Sequence, residues 1–303
     1  MVEKVEKIWV DGELVPWEQA TFHVLTHTLH YGLGVFEGIR AYETSDGRTA
    51  VFKLREHVRR LFESAHICLM PMPFSRERIE EAILETIRVN GLKSCYVRPI
   101  AFMGQGSMGV GADNPTRVAV AVWKWGAYLG EEQLERGCRV KVSSYARVGV
   151  NSLMAKGKIC GHYVNSILAK REALSLGFDE AILLDPQGYV CEASGENVFV
   201  VRDGVVATAP RGTSVLGGIT RDTITQLLRE QGLTVTERLI ARDELYTADE
   251  VFMCGTAAEV TPVREVDGRQ VGAGSRGPIT EAIQSRYFAA VRGDAPAEWL
   301  TYV

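Results

Sequence analysis

Residues 181–207, AILLDPQGYVCEASGENVFVVRDGVVA, form a run of strands punctuated by turns. Asp185-Pro186-Gln187-Gly188 separates AILL from YVCEA, and Asp203-Gly204 divides two further apolar runs. Asp-Gly readily supplies the positive φ angles of a tight hairpin turn, so strands on its two sides pair antiparallel. The same device recurs outward from this stretch. Asp11-Gly12 lies between Ile8, Val10 and Leu14, Val15, while Asp46-Gly47 and Asp267-Gly268 also sit between apolar runs.

Helical patterns alternate with these hairpins. Residues 55–70, REHVRRLFESAHICLM, place Val58, Leu61, Phe62, Ala65 and Leu69 on one helical face. Residues 75–91, SRERIEEAILETIRVNG, open on Ser75 as N-cap, carry the stripe Ile79, Ile83, Leu84 and Ile87, and close on Gly91. Residues 163–178, 220–232 and 278–293 read as helices by the same criteria. Hairpins and helices mixed along the whole chain predict an α+β architecture rather than a doubly wound parallel sheet. Residues 125–137, WGAYLGEEQLERG, read as a linker before the strand RVKVSSYARV. The expected division is a small N-terminal α+β domain over 1–124, an interdomain loop over 125–136 and a large C-terminal α+β domain over 137–303.

Composition narrows the function. A chain of 303 residues with 46% hydrophobic content can bury two medium domains. Its 34 basic and 38 acidic residues leave a net charge of -4, which lacks the footprint of sequence-independent nucleic-acid binding. No stretch approaches the roughly 20 apolar residues of a membrane span, and the opening MVEKVEKIWVDGEL has no apolar signal core, so a cytoplasmic protein is expected. The six cysteines are scattered without a C-x-x-C pair and read as reduced thiols. Gly104-x-Gly106-x-x-Gly109 fails as a dinucleotide fingerprint because VGADNPT cannot open a helix, and His23, His27 and His30 lack a carboxylate to complete a metal site. No metal is expected.

Four segments carry chemistry. In MAKGKICGHYVNSILAKREA, residues 154–173, Lys156 and Lys158 sit among small and apolar residues before a helix. Partial desolvation lowers a lysine pKa and frees the neutral amine for bonding to a carbonyl; a lysine snorkelling to the surface is the ordinary alternative. In GTSVLGGITRDTITQLLRE, residues 212–230, Leu216-Gly217-Gly218 runs into a helix start near Ile219 and Thr220, an anion-ready terminus. The strand DEVFMCGTAAEVTPV turns at Gly255-Thr256-Ala257, where successive N–H groups can meet a phosphate or carboxylate. Glu192 stands inside an apolar strand and needs a cationic partner, for which a protonated pyridine nitrogen would serve. Together these are the parts that hold pyridoxal phosphate. They leave open transamination, racemisation, lyase chemistry and decarboxylation.

In chain order, HYGLGVFEGIRAY, EHVRRL, YVRPIAFMGQGSMGV, WGAYLG, AKGKICGHYVNSILA, EASGENVF, LGGITRD and VFMCGTAAEVTPV resemble the branched-chain aminotransferases of fold type IV. The resemblance spans nearly the whole chain. It implies a two-domain fold of the D-amino-acid-aminotransferase-like kind, with the cofactor at the domain interface. It implies Lys158, five residues before Tyr163, as the catalytic lysine that attaches pyridoxal 5'-phosphate, with Lys156 as its rival. Tyr163 would bond the phenolic oxygen and Glu192 the pyridine nitrogen. Arg60, Ile219, Thr220 and Thr256 would surround the phosphate, and Gly195, Asn197, Leu216, Gly218 and Gly255 would also bind the cofactor. Arg59 would face solvent.

On the substrate side the resemblance implies Tyr96, Thr256 and Ala257 for the α-carboxylate and Arg98 for a dicarboxylate side chain. Phe36, Gly38, Trp125 and Tyr128 would line the pocket, with Tyr31 and Val110 contributed across a subunit contact of a dimer, or of a hexamer built of dimers. The implied reaction is transamination between branched-chain L-amino acids and 2-ketoglutarate. A D-amino-acid or (R)-amine transaminase is the nearest alternative, against which Tyr96-x-Arg98 and the GQGSMGV loop argue. The second lysine and the ICGHY spacing depart from the family pattern.

Overall fold

The computed structural model describes residues 2–126 and 130–303. Its contacts divide the chain into two units, and the division is not linear. One unit comprises the stretch up to Trp125, Gly157–Gly161 and Val291–Val303; the other comprises Gly126–Lys156 and His162–Ala290.

The first unit contains β1 (Lys7–Val10), β2 (Glu13–Pro16), α1 (His27–Tyr31), β3 (Gly34–Phe36), β4 (Ile39–Glu43), β5 (Thr49–Phe52), α2 (Leu54–Ile67), α3 (Arg76–Val89), β6 (Cys95–Met103) and β7 (Thr116–Trp123). The second contains α4 (Glu131–Arg136), β8 (Cys138–Val142), α5 (Tyr163–Ser175), β9 (Glu180–Leu184), β10 (Val190–Ala193), β11 (Asn197–Arg202), β12 (Val205–Thr208) and α6 (Ile219–Glu230). It continues through β13 (Thr234–Glu237), α7 (Glu244–Thr247), β14 (Glu250–Gly255), β15 (Glu259–Val266), β16 (Arg269–Gln270) and α8 (Pro278–Val291). The last strand, β17 (Leu300–Tyr302), returns to the first unit.

In the first unit the strands run in the order β17-β5-β4-β6-β7-β1-β2, with β3 also on β6, and all of these pairings are antiparallel. Helices α2 and α3 lay Leu54, Val58, Leu61, Ile79, Ile83 and Ile87 against Trp9, Ile39, Val51, Val97 and Val120 of the sheet. Ser75 caps α3 as its spacing predicts, its hydroxyl accepting from the Arg78 N–H at 3.2 Å. Lys53 enters α2 with φ 55°, and its N–H donates to the Trp299 carbonyl at 2.7 Å. The chain end therefore supports the start of α2.

In the second unit the order is β10-β9-β8-β15-β14-β11-β12-β13, and an additional β10–β11 pairing closes six of these strands into a ring. The β8–β9, β8–β15 and β12–β13 pairs are parallel and the rest antiparallel. Mixed sheets and helices agree with the α+β expectation. Four Asp-Gly turns stand where the sequence puts them, with Asp11, Asp203 and Asp267 themselves at positive φ.

Three local expectations are corrected. Leu69 is not part of the apolar face of α2: the helix ends at Ile67, and Leu69 turns to φ 55° and is 89% exposed. The 125–136 loop contains helix α4, because EEQLER is built of good helix formers and its Glu132–Arg136 pair closes at 3.0 Å. The strand read as RVKVSSYARV stops at Val142, where the Ser143 and Ser144 hydroxyls both turn to Glu172.

Candidate active site

In the first unit, β3 leads into Glu37, which is fully buried and meets two residues of α2. Arg60 donates to both its carboxylate oxygens, Nε at 2.6 Å and Nη2 at 2.8 Å, and the His57 Nδ1 lies 2.7 Å from Oε2. Burial alone would raise the Glu37 carboxyl, but the Arg60 guanidinium and the His57 ring together outweigh it and hold the group well below the usual carboxylate range. Burial lowers the His57 pKa, against the pull of the Glu37 carboxylate beside it. Neither Glu37 nor His57 was singled out by sequence; the signal was a charged residue between Phe36 and Gly38 in an apolar run. Arg59, as expected, is exposed and pairs only loosely with Glu63 at 3.6 Å.

Lys158 is placed in the same unit. Its backbone carbonyl accepts from the Phe36 N–H at 3.1 Å, its N–H donates to the Ser64 Oγ at 3.0 Å, and its Nζ lies 5.2 Å from the Phe36 ring centroid. Around Phe36 the sheet gathers Tyr96, Arg98, Trp123 and Trp125. The Arg98 guanidinium lies 4.6 Å from the Phe36 ring, 5.4 Å from Tyr96 and 5.9 Å from Trp123, and its Nε is buried without a hydrogen-bond partner among the described residues. Trp125 stacks obliquely on Tyr96 at 5.2 Å. A Cβ at position 38 would lie 1.9 Å from the Tyr96 hydroxyl, so only glycine leaves room for it. Tyr128 lies outside the described residues.

Tyr31 and Val110 both lie at the surface. Tyr31 packs on His27 at 4.4 Å, and the His27 Nε2 lies 2.8 Å from the Gly109 carbonyl. Both are exposed, Val110 to 94%. Among the described residues no group of three or more His, Cys, Asp or Glu side chains is placed to hold a metal ion.

In the second unit, Glu192 and Asn197 face each other across β10 and β11. Glu192 is buried, and the cation it needs is supplied by the chain itself: Arg147 Nε lies 2.5 Å from Oε1, although its N–H is not aligned for a hydrogen bond. The sequence reading offered only a pyridine nitrogen for that role and missed Arg147, which stands in the loop after β8. The second oxygen of Glu192 accepts from the Leu216 N–H at 3.0 Å, and the Leu216 carbonyl accepts from the Asn197 amide at 3.0 Å. A Cβ at position 218 would lie 2.0 Å from Asn197 Oδ1. The turn is thus drawn tight onto the two strands, and Gly218 delivers the chain into α6 with no side-chain cap. The first N–H groups of a helix have no intrahelical partner, so Ile219 and Thr220 open an anion-ready terminus.

Lys156 belongs to this unit. Burial lowers its pKa, but the Nζ donates to the Thr213 and Val215 carbonyls at 2.8 and 2.7 Å. That places it as a clamp on the loop leading to Leu216. Tyr163 is the first residue of α5. Gly255 ends β14, and Thr256 and Ala257 lie in the half-buried turn before β15.

Beside Gly195, the buried Glu196 is pushed up to about 8, by burial first and then by Glu180. A carboxyl whose folded pKa lies above its ordinary 4.5 contributes stability that is complete below 4.5 and lost as pH rises toward about 8. Glu196→Gln is therefore expected to flatten the fall in melting temperature between those limits. An unchanged slope would show that Glu196 ionises normally.

The fit to pyridoxal phosphate rests on these features: a tight glycine cradle at an uncapped helix start, and a buried carboxylate paired with an arginine. The sequence profile of the Amino-transferase class IV family matches residues 34–266. The chain is 54% identical to the branched-chain-amino-acid aminotransferase of Pseudomonas aeruginosa, covering 100% of this chain and 99% of that protein. It is 47% identical to the Escherichia coli enzyme of that name, over 98% of this chain and 96% of the other. It superposes on the crystal structure of the T.th. branched-chain amino acid aminotransferase with pyridoxamine 5'-phosphate, with a TM-score of 0.95, 50% identity and 99% coverage of both chains.

Proposed function

Because the chain belongs to the class IV amino-transferase family, we propose that it is a pyridoxal-phosphate enzyme exchanging an amino group between branched-chain L-amino acids and 2-ketoglutarate. The observation that carries this reading is about half identity, over nearly the whole chain, to branched-chain-amino-acid aminotransferases. When bound, pyridoxal phosphate supplies the electron sink for the charge released at the substrate Cα. Lys158 attaches the cofactor and then, as a free amine, moves the proton at Cα. Glu192, paired with Arg147, holds the pyridine nitrogen protonated. Arg60, Ile219, Thr220 and Thr256 hold the phosphate; Tyr163 holds the phenolic oxygen, with Gly195 and Asn197 beside the ring. Tyr96, Thr256 and Ala257 take the α-carboxylate. Arg98, already among aromatic rings, serves a γ-carboxylate without spoiling a pocket for apolar side chains.

The test is absorption of the cofactor-loaded protein. L-Leucine is expected to convert the bound cofactor to its amine form and 2-ketoglutarate to restore it, with D-alanine inert. Conversion by D-alanine alone would make the protein a D-amino-acid transaminase. Gly38→Ala is expected to push the Tyr96 hydroxyl aside and raise KM for L-leucine about tenfold, leaving cofactor affinity intact. An unaltered KM would remove Tyr96 from the substrate site.

We also propose a homo-oligomer built of dimers. Tyr31 and Val110 are both exposed, and α5 buries Ser166, Ala169 and Ala173 while presenting Val164, Ile167, Leu168 and Leu174 to the surface. A single-chain mass by light scattering would sink this. A cytoplasmic location fits six unpaired cysteines, and among the described residues no helix is long and apolar enough to cross a membrane.

A further inference from the structure

We propose that Ser64 is a positioning residue for Lys158, acting through the lysine's backbone; this rests on the reading of Lys158 as the lysine that attaches the cofactor. Ser64 is fully buried on α2, and its Oγ accepts the Lys158 N–H at 3.0 Å. The segment around Lys158 is also held along residues 32–36. Its carbonyl accepts from Phe36, Val35 and Ile159 form an antiparallel bridge, and the Gly161 N–H donates to the Gly32 carbonyl at 3.1 Å. Residues 158–161 thus lie along 32–36 like a short extra strand. Ser64 takes the Lys158 N–H, so both peptide groups flanking its Cα are tied.

With those groups tied, the direction of the Cα–Cβ bond is set, and the long lysine side chain starts from a fixed origin. The spacing of His57, Arg60 and Ser64 puts all three on one face of α2, with Glu37 pinning Arg60 beside Phe36. One helical face and one strand end therefore locate both the arginine and the lysine. A serine retained only as filler would be exchangeable for alanine, the better helix former.

The full-length protein, freed of cofactor, is tested with two ligands. With pyridoxal phosphate, the Lys158 amine bonds to the aldehyde carbon and the aldehyde oxygen leaves as water, followed by rapid-mixing absorbance. Pyridoxamine phosphate carries no aldehyde, so its dissociation constant reads the site without the bond. Ser64→Ala is expected to slow attachment roughly tenfold, since a freed peptide lets the amine wander from its attack geometry. Pyridoxamine phosphate affinity is expected to change less than about twofold. A parallel loss in both would mean a loosened site, and no loss in either would mean a filler; each overturns the proposal. If the parent protein itself forms no bond at Lys158, the functional reading falls together with the role of Ser64, and that control separates the two failures.

Discussion

Lys158→Ala is expected to leave less than about one thousandth of the parent transamination rate, because it removes both the attachment point and the amine that moves the Cα proton. Lys156→Ala is expected to keep more than about a tenth, as a second amine cannot share the geometry needed for proton transfer. Burial lowers the Lys156 pKa, which by itself would nominate Lys156 as the reactive amine. The geometry supports the proposed assignment to Lys158 instead: the Lys156 Nζ is committed to the Thr213 and Val215 carbonyls, whereas Lys158 is framed by Phe36 and Ser64. Borohydride trapping followed by peptide mass measurement reads the same point independently of rate. The label is expected on Lys158, and a label on Lys156 would reverse the assignment.

Glu192→Gln is expected to be nearly as damaging to activity, and to destabilise the fold by about 3 kcal/mol, because Arg147 is then left buried without its counter-charge. Adding Arg147→Met removes the stranded cation. The double variant is expected to regain most of the lost melting temperature while staying inactive, since the pyridine nitrogen still lacks a carboxylate. Recovery of activity along with stability would mean that Glu192 serves only the fold. Chemical denaturation and turnover with L-leucine, measured on the parent protein and both variants, separate these cases.

Local sequence settled what local physics governs. The Asp-Gly turns, the Ser75 cap, the glycine turn into α6 and the strand-turn at Gly255 all depend on backbone dihedrals and near-neighbour hydrogen bonds, which a short window of residues specifies. Glu192 was legible as a problem, because a carboxylate in an apolar strand demands a cation. Its partner was not legible. Arg147 lies 45 positions away in a loop with no periodicity, and only the pairing of β8, β9 and β10 in one sheet brings the two side chains together. The same holds for Glu37 with His57 and Arg60, joined by packing α2 on the first sheet, and for Ser64 with Lys158, 94 positions apart. The two lysines make the contrast plain. They share one composition and differ by two positions, so sequence could rank them only by resemblance; the partners each one meets depend on long-range packing, which no local pattern encodes.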